Sequence, residues 1–230
     1  MESPVRGQPD PRLTAGAATP GLHLIETLRY VPGQGCPAGR LHLARLAASV
    51  TALGWDEGED ALPTLSRLSF PDERRVRLTR HADGSLAVMT EPAPAPRALW
   101  RLGLAAARLA SDDPWLAVKS SRRAAYDAAR LALPADLDEA ILLNERGEVC
   151  DGTITTLFFD AGGGLCTPPV ACGVLPGVLR GSMLATGACR VAVLAGVELP
   201  RVRLWVGNSL RGLAPAVWCG PQPRQAAMRH

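Results

Sequence analysis

The stretch Cys150-Asp151-Gly152-Thr153-Ile154-Thr155-Thr156-Leu157-Phe158-Phe159 sets a carboxylate at the mouth of an apolar, β-branched run, which predicts a strand over 153–159. Turns at Glu145-Arg146-Gly147 and Ala161-Gly162-Gly163-Gly164 bound it on either side. Outward from there, strands are predicted at 140–143 and 165–167. A helix follows over 176–185, with Pro176 near its first turn and Gly187 past its end. Further strands at 191–194, 204–206 and 216–218 make this half of the chain mostly β. Upstream, 122–133 is helical in composition, and 99–110 reads as a long strand broken by Asp112-Asp113-Pro114. Lys119 closes a short apolar run between those two elements.

Glu91-Pro92-Ala93-Pro94-Ala95-Pro96 is stiff, because its prolines favour extended backbone, and a domain boundary is placed there. On its N-terminal side, 22–30 is rich in strand formers. A helix over 40–54 sets Leu41, Ala44, Leu46, Ala47, Val50 and Leu53 mainly on one face, with Gly54 as its cap. Strands over 74–80 and 85–90 flank Ala82-Asp83-Gly84, a hairpin signal. The expected organisation is a loose tail over 1–20, a small α/β domain over 21–92, and a linker over 93–97. A larger domain over 98–219 and a tail over 220–230 complete it.

The 230 residues are 47% hydrophobic, which suits a globular protein. No apolar run approaches the roughly 18–20 residues of a membrane span, and no signal-peptide pattern opens the chain. Net charge is +3 and the arginines are scattered, so neither a nucleic-acid partner nor a membrane is expected. The six cysteines form no C-x-x-C pair, which disfavours a zinc site; reduced thiols in the cytoplasm are the simple reading. Among the 25 basic residues Lys119 is the only lysine. Arginine cannot replace lysine where the amine must lose its proton, as amine nucleophiles and Schiff bases require.

Such a lysine, a carboxylate, and donors for an anion are what pyridoxal 5′-phosphate (PLP) needs. Asp151 offers the carboxylate for the pyridine nitrogen. The sequence Gly173-Val174-Leu175-Pro176-Gly177-Val178-Leu179-Arg180 opens a helix whose N-terminus suits a phosphate. Gly207-Asn208-Ser209-Leu210 adds a hydroxyl on a small turn. Arg45 lies on the first helix, and Arg123 and Tyr126, just beyond the lysine, face either a ligand or their own helix surface. His42 is expected to be structural, and Gly162, Gly163 and Gly164 to form a hairpin turn.

The ordered set Lys119, D-G-T-x-T-x-L-F, T-P-P, L-P-G-V-L-R and G-N-S resembles the class IV aminotransferases, the fold-type IV PLP enzymes. Ile25-Glu26-Thr27-Leu28-Arg29 and His42-Leu43-Ala44-Arg45-Leu46 extend the likeness, which runs from about Leu22 to Trp218. It implies an α+β fold of the D-amino-acid aminotransferase kind, with two domains and the cofactor between them, assembled as a homodimer. By position it implies that Lys119 is the Schiff-base lysine and the proton carrier. Arg45, the helix start at Val178 and Leu179, and Ser209 would hold the phosphate, and Asp151 the pyridine nitrogen. Two positions depart from the family. Asp151 stands where glutamate is normal, one methylene shorter, and Thr156 where asparagine is usual.

Ser120-Ser121-Arg122-Arg123 lacks the paired glycines of branched-chain aminotransferases and is closer to the 4-amino-4-deoxychorismate lyase branch, as is Asn208. The implied reaction is conversion of 4-amino-4-deoxychorismate to 4-aminobenzoate and pyruvate, a step of folate synthesis. An aminotransferase acting on branched-chain or D-amino acids stands beside it. So does a PLP-binding scaffold without catalysis, to which the two departures point.

Overall fold

Side chains alternate between two faces of the first sheet in the computed structural model, which describes residues 10–220. It is antiparallel, in the order β1 (His23–Tyr30), β2 (Arg74–His81), β3 (Leu86–Pro92). Three helices accompany it: α1 (Pro11–Gly16), α2 (Gly39–Leu53) and α3 (Ala61–Ser66). Leu24, Leu28 and Tyr30 of β1 and Val76 and Leu78 of β2 share one core with Leu46, Val50 and Leu53 of α2. Because successive side chains point to opposite faces, the other face of these strands carries Ile25, Thr27, Arg75 and Arg77 into a cleft.

The remaining strands are β4 (Trp100–Leu109), β5 (Glu139–Asn144), β6 (Val149–Gly152), β7 (Thr156–Asp160), β8 (Cys166–Thr167), β9 (Arg190–Val191), β10 (Arg203–Asn208) and β11 (Gly212–Trp218). They form one sheet in the order β6-β5-β4-β11-β10-β7-β8-β9. The β4 strand pairs parallel to both β5 and β11, and the hairpin of β10 and β11 is antiparallel. Helices α4 (Ala124–Leu131) and α5 (Val178–Ala185) pack against this sheet, α4 on β4 and β5 and α5 on β10. Gly207 permits the last contact, since a Cβ there would meet Leu179 Cδ2 at 2.7 Å and the Gly212 carbonyl oxygen at 2.6 Å.

The fold corrects four expectations. Residues 10–20 are not a loose tail: the Asp10 carboxylate caps α1 by accepting the Arg12 N–H at 2.8 Å, and Leu13 and Ala17 are buried. The rest of the two tails, 1–9 and 221–230, lies outside the described residues. The buried face of α2 is rotated to His42, Leu46, Ser49, Val50 and Leu53, leaving Leu41 exposed, because buried Glu26 on β1 draws His42 inward. The strand expected over 153–159 begins only at Thr156. Residues 153–155 turn instead, since the Glu139 carboxylate binds their N–H and hydroxyl groups, and Asp151 belongs to the preceding β6. The strand expected over 191–194 shortens to β9, and a 3-10 turn over Gly196–Arg201 follows soon after. The stretch over 93–97 runs between β3 and β4.

Candidate active site

Lys119 is carried by a segment that behaves as an extra strand at the edge of β1. Its carbonyl accepts the Ile25 N–H at 2.8 Å, and the His23 carbonyl accepts the Ser121 N–H at 2.8 Å. A short 3-10 turn over Pro114–Ala117, capped by Asp113, feeds the chain into that position. The side chain thereby enters a cleft of about 340 Å³ between the first sheet, the end of β6, the start of α5 and the turn of β10 and β11. Burial lowers the Lys119 amine to about 8, assisted by the charges of Arg45 and Arg123. An amine so placed is more readily deprotonated than one in water.

All six sequence candidates, Arg45, Lys119, Asp151, Val178, Leu179 and Ser209, line this one cleft. Asp151 is almost wholly buried, and its Oδ1 has no hydrogen-bond partner. Burial raises its carboxyl to about 8, with the Glu139 charge adding to the effect, while Leu175, Thr156 and Lys119 oppose it. A buried carboxylate atom with nothing to accept from is costly unless a donor arrives. That orphaned oxygen fits a protonated ring nitrogen.

At the other end, Val178 and Leu179 open α5 behind Gly177, so their N–H groups lack intrahelical acceptors and favour an anion. Gly177 keeps this cradle open, because a Cβ there would lie 3.2 Å from Thr156 Oγ1. Arg45 is held by Glu26, with Nε at 2.9 Å from Oε1 and Nη2 at 2.5 Å from Oε2, and by the Pro176 carbonyl at 3.3 Å. His42 Nδ1 lies 2.6 Å from the same Glu26 Oε2, so His42 is structural, as expected. Burial alone would push the Glu26 carboxyl up, but the bonds from His42 and Arg45 hold it below the usual range. Ser209 sits half-buried in a turn shaped by Asn208, whose Oδ1 accepts the N–H groups of Leu210 and Arg211.

Arg123 and Tyr126 both face the cleft and not merely the helix surface. Arg123 Nη2 donates to the Thr153 carbonyl at 2.7 Å, and its guanidinium stands 5.2 Å over the Tyr126 ring. Burial, followed by the Asp151 charge, pushes the Tyr126 phenol up. By contrast, the 162–164 glycines form a turn around Asp160 and lie away from the cleft. Sequence reasoning missed Arg75, Arg77, Arg122 and Arg211, which also line the cleft. Only the period-two placement of Arg75 and Arg77 on β2 could have signalled that they share a face. Glu139 was missed too, although an acid beginning an apolar strand is a visible anomaly. Among the described residues no group of His, Cys, Asp and Glu is placed to hold a metal, and no helix is long and apolar enough to cross a membrane.

Residues 23–218 match the model of the amino-transferase class IV family. The chain belongs to that family. This class IV aminotransferase-family chain is 39% identical to a candidate amino-acid aminotransferase from Mesorhizobium loti, with 86% of this chain and 99% of that one covered at a TM-score of 0.81. It is 26% identical to a candidate 4-amino-4-deoxychorismate lyase, covering 90% and 88% of the two chains at a TM-score of 0.71. A hypothetical aminotransferase from Mycobacterium tuberculosis in its PLP-bound form is 24% identical, covering 92% and 86%, at a TM-score of 0.70. No curated protein matches it significantly. The family is PLP-dependent, and PLP is the cofactor of this class IV enzyme. The orphaned Asp151 oxygen, the amine of Lys119 and the open N-terminus of α5 fit its ring nitrogen, aldehyde and phosphate respectively.

Proposed function

We propose that this enzyme is a lyase that converts 4-amino-4-deoxychorismate to 4-aminobenzoate and pyruvate. The observation that carries the reading is the charge of the cleft. Seven arginines and Lys119 line it against one acid, Asp151. A phosphate uses part of that surplus, near Arg45 and α5. Arg77 and Arg122 remain for the substrate, beside Arg75, which pairs with Glu91 at 2.7 Å, and Arg123, whose Nε lies 3.4 Å from Asp127. The Arg77 side chain makes no hydrogen bond or ion pair to another described residue, and burial, then the Arg75 and Arg123 charges, push its guanidinium down. A substrate with two carboxylates suits such a wall, each carboxylate accepting paired N–H bonds from a guanidinium.

Bound PLP supplies an electron sink for the carbon that loses its proton. In the proposed roles, Arg45, the Val178 and Leu179 N–H groups and Ser209 hold the phosphate, and Asp151 holds the ring nitrogen. Lys119 takes the proton from the amine-bearing ring carbon. The neighbouring carbon–oxygen bond then breaks, the ring becomes aromatic, and the enolpyruvyl group leaves with a proton to become pyruvate. The shorter Asp151 is brought to the cleft by β6 itself.

The Mesorhizobium loti relative favours a second reading, an amino-acid aminotransferase. The two differ in stoichiometry. Incubated with 4-amino-4-deoxychorismate and no 2-oxo acid, the lyase forms 4-aminobenzoate and pyruvate in equal amounts over many turnovers. An aminotransferase instead loses its visible absorption with one equivalent of D-alanine or a branched-chain amino acid and regains it with a 2-oxo acid. That cycle, together with an inert chorismate derivative, would replace the lyase by the aminotransferase.

A further inference from the structure

Glu139 begins β5 ahead of Ala140, Ile141, Leu142 and Leu143, and it is fully buried. Withdrawing a carboxylate from water is costly unless its lone pairs are matched. Here they are. Oε1 accepts the N–H groups of Ala140 at 3.0 Å and Thr153 at 2.9 Å and the Thr153 hydroxyl; Oε2 accepts the Ile154 N–H at 3.1 Å and the Thr155 hydroxyl at 2.8 Å. Gly152 makes this approach possible, since a Cβ there would lie 2.8 Å from Glu139 Oε2 and 2.7 Å from Thr155 Oγ1.

Glu139 does not line the cleft, but the turn it grips does. The Gly152 N–H, immediately after Asp151, donates to the Thr155 carbonyl at 2.8 Å. The Thr153 carbonyl accepts from Arg123, and the Ile154 carbonyl accepts from Asn208 Nδ2 at 3.0 Å. Asn208 in turn shapes the turn that presents Ser209. One buried carboxylate thus stands behind three separate parts of the cleft wall.

We infer that Glu139 is a positioning residue: by clamping the 153–155 turn it fixes Asp151, Arg123 and the Asn208-Ser209 turn as one preorganised surface for the cofactor. The inference rests on PLP binding in the cleft and not on the amino substrate, so failure of the lyase reading leaves it standing. Glu139 Oε1 lies 3.6 Å from Arg130 Nη1 of α4, which offsets part of its charge; the remainder acts on Asp151, raising its carboxyl, and favours a cation at this end of the cleft.

The test is PLP binding to Glu139→Gln and Thr155→Val, followed by absorbance, with the pH titration of the visible band and the melting temperature of each apoprotein. An amide at 139 turns donor groups onto donors, so Glu139→Gln weakens PLP binding about tenfold or more and moves the titration midpoint to lower pH. Thr155→Val removes one bond and keeps the charge. It weakens binding by less and leaves the midpoint in place. If both variants melt earlier but bind PLP with unchanged affinity and an unmoved midpoint, Glu139 is only part of the core and the inference is wrong. Should Glu139→Gln fail to fold, Thr155→Val decides alone, with unchanged PLP affinity overturning the inference and weakened affinity supporting it.

Discussion

Replacing Lys119 with alanine abolishes turnover. General acid–base catalysis by a positioned side chain contributes about 10²–10⁴-fold, and loss of the covalent anchor adds to it, so the fall is at least about 10⁴-fold. No other lysine exists to take over, because the remaining 24 of the 25 basic residues are arginines. Lys119→Arg gives no rescue, since a guanidinium that stays charged can neither join the aldehyde nor take a proton. The variant is expected to fold, because Lys119 meets β1 through its backbone. Circular dichroism checks the fold, and product formation checks the loss. Residual activity within tenfold of the parent would remove Lys119 from the chemistry.

Asp151→Ala has the second largest effect. Removing one partner of a buried charge pair costs about 3–5 kcal/mol, or roughly 150- to 5,000-fold, and the loss appears as weaker PLP retention and lower turnover. The apoprotein responds in the opposite sense. Asp151 carries a carboxyl raised to about 8 in the folded chain, so its contribution to stability is present at acidic pH and is lost as pH rises toward 8. The apo variant escapes that loss and gains on the parent across this interval. Asp151→Glu, which restores the family residue, is tolerated. Dialysis against PLP-free buffer and melting curves from pH 4 to pH 8 read both effects. Unchanged PLP retention in Asp151→Ala would leave the residue without a role at the ring nitrogen.

The likeness of motifs made the cofactor and the fold readable, because short segments in fixed order survive even when each is weak alone. Lys119, Asp151 and the start of α5 are such segments, and they meet in one cleft. What stayed hidden depends on contacts between distant residues. The rotation of α2 follows from Glu26 drawing in His42, which no count of apolar residues reveals. The 153–155 turn has strand-forming threonines and isoleucine, yet Glu139 supplies hydrogen bonds that a ladder would otherwise provide. Propensity lost to a buried acid. The arginine wall was hidden for a different reason: Arg75 and Arg77 become cleft residues only once β2 shows which face opposes α2.

Borohydride reduction of the PLP-loaded protein, followed by peptide mapping, tests the central claim most directly. The reduced bond cannot hydrolyse, so it records which amine carried the cofactor. A single pyridoxyl group on Lys119, formed as the visible band disappears, is the result the cleft predicts. A label confined to the N-terminal amine, or no label at all in protein that has been saturated with PLP, would contradict it.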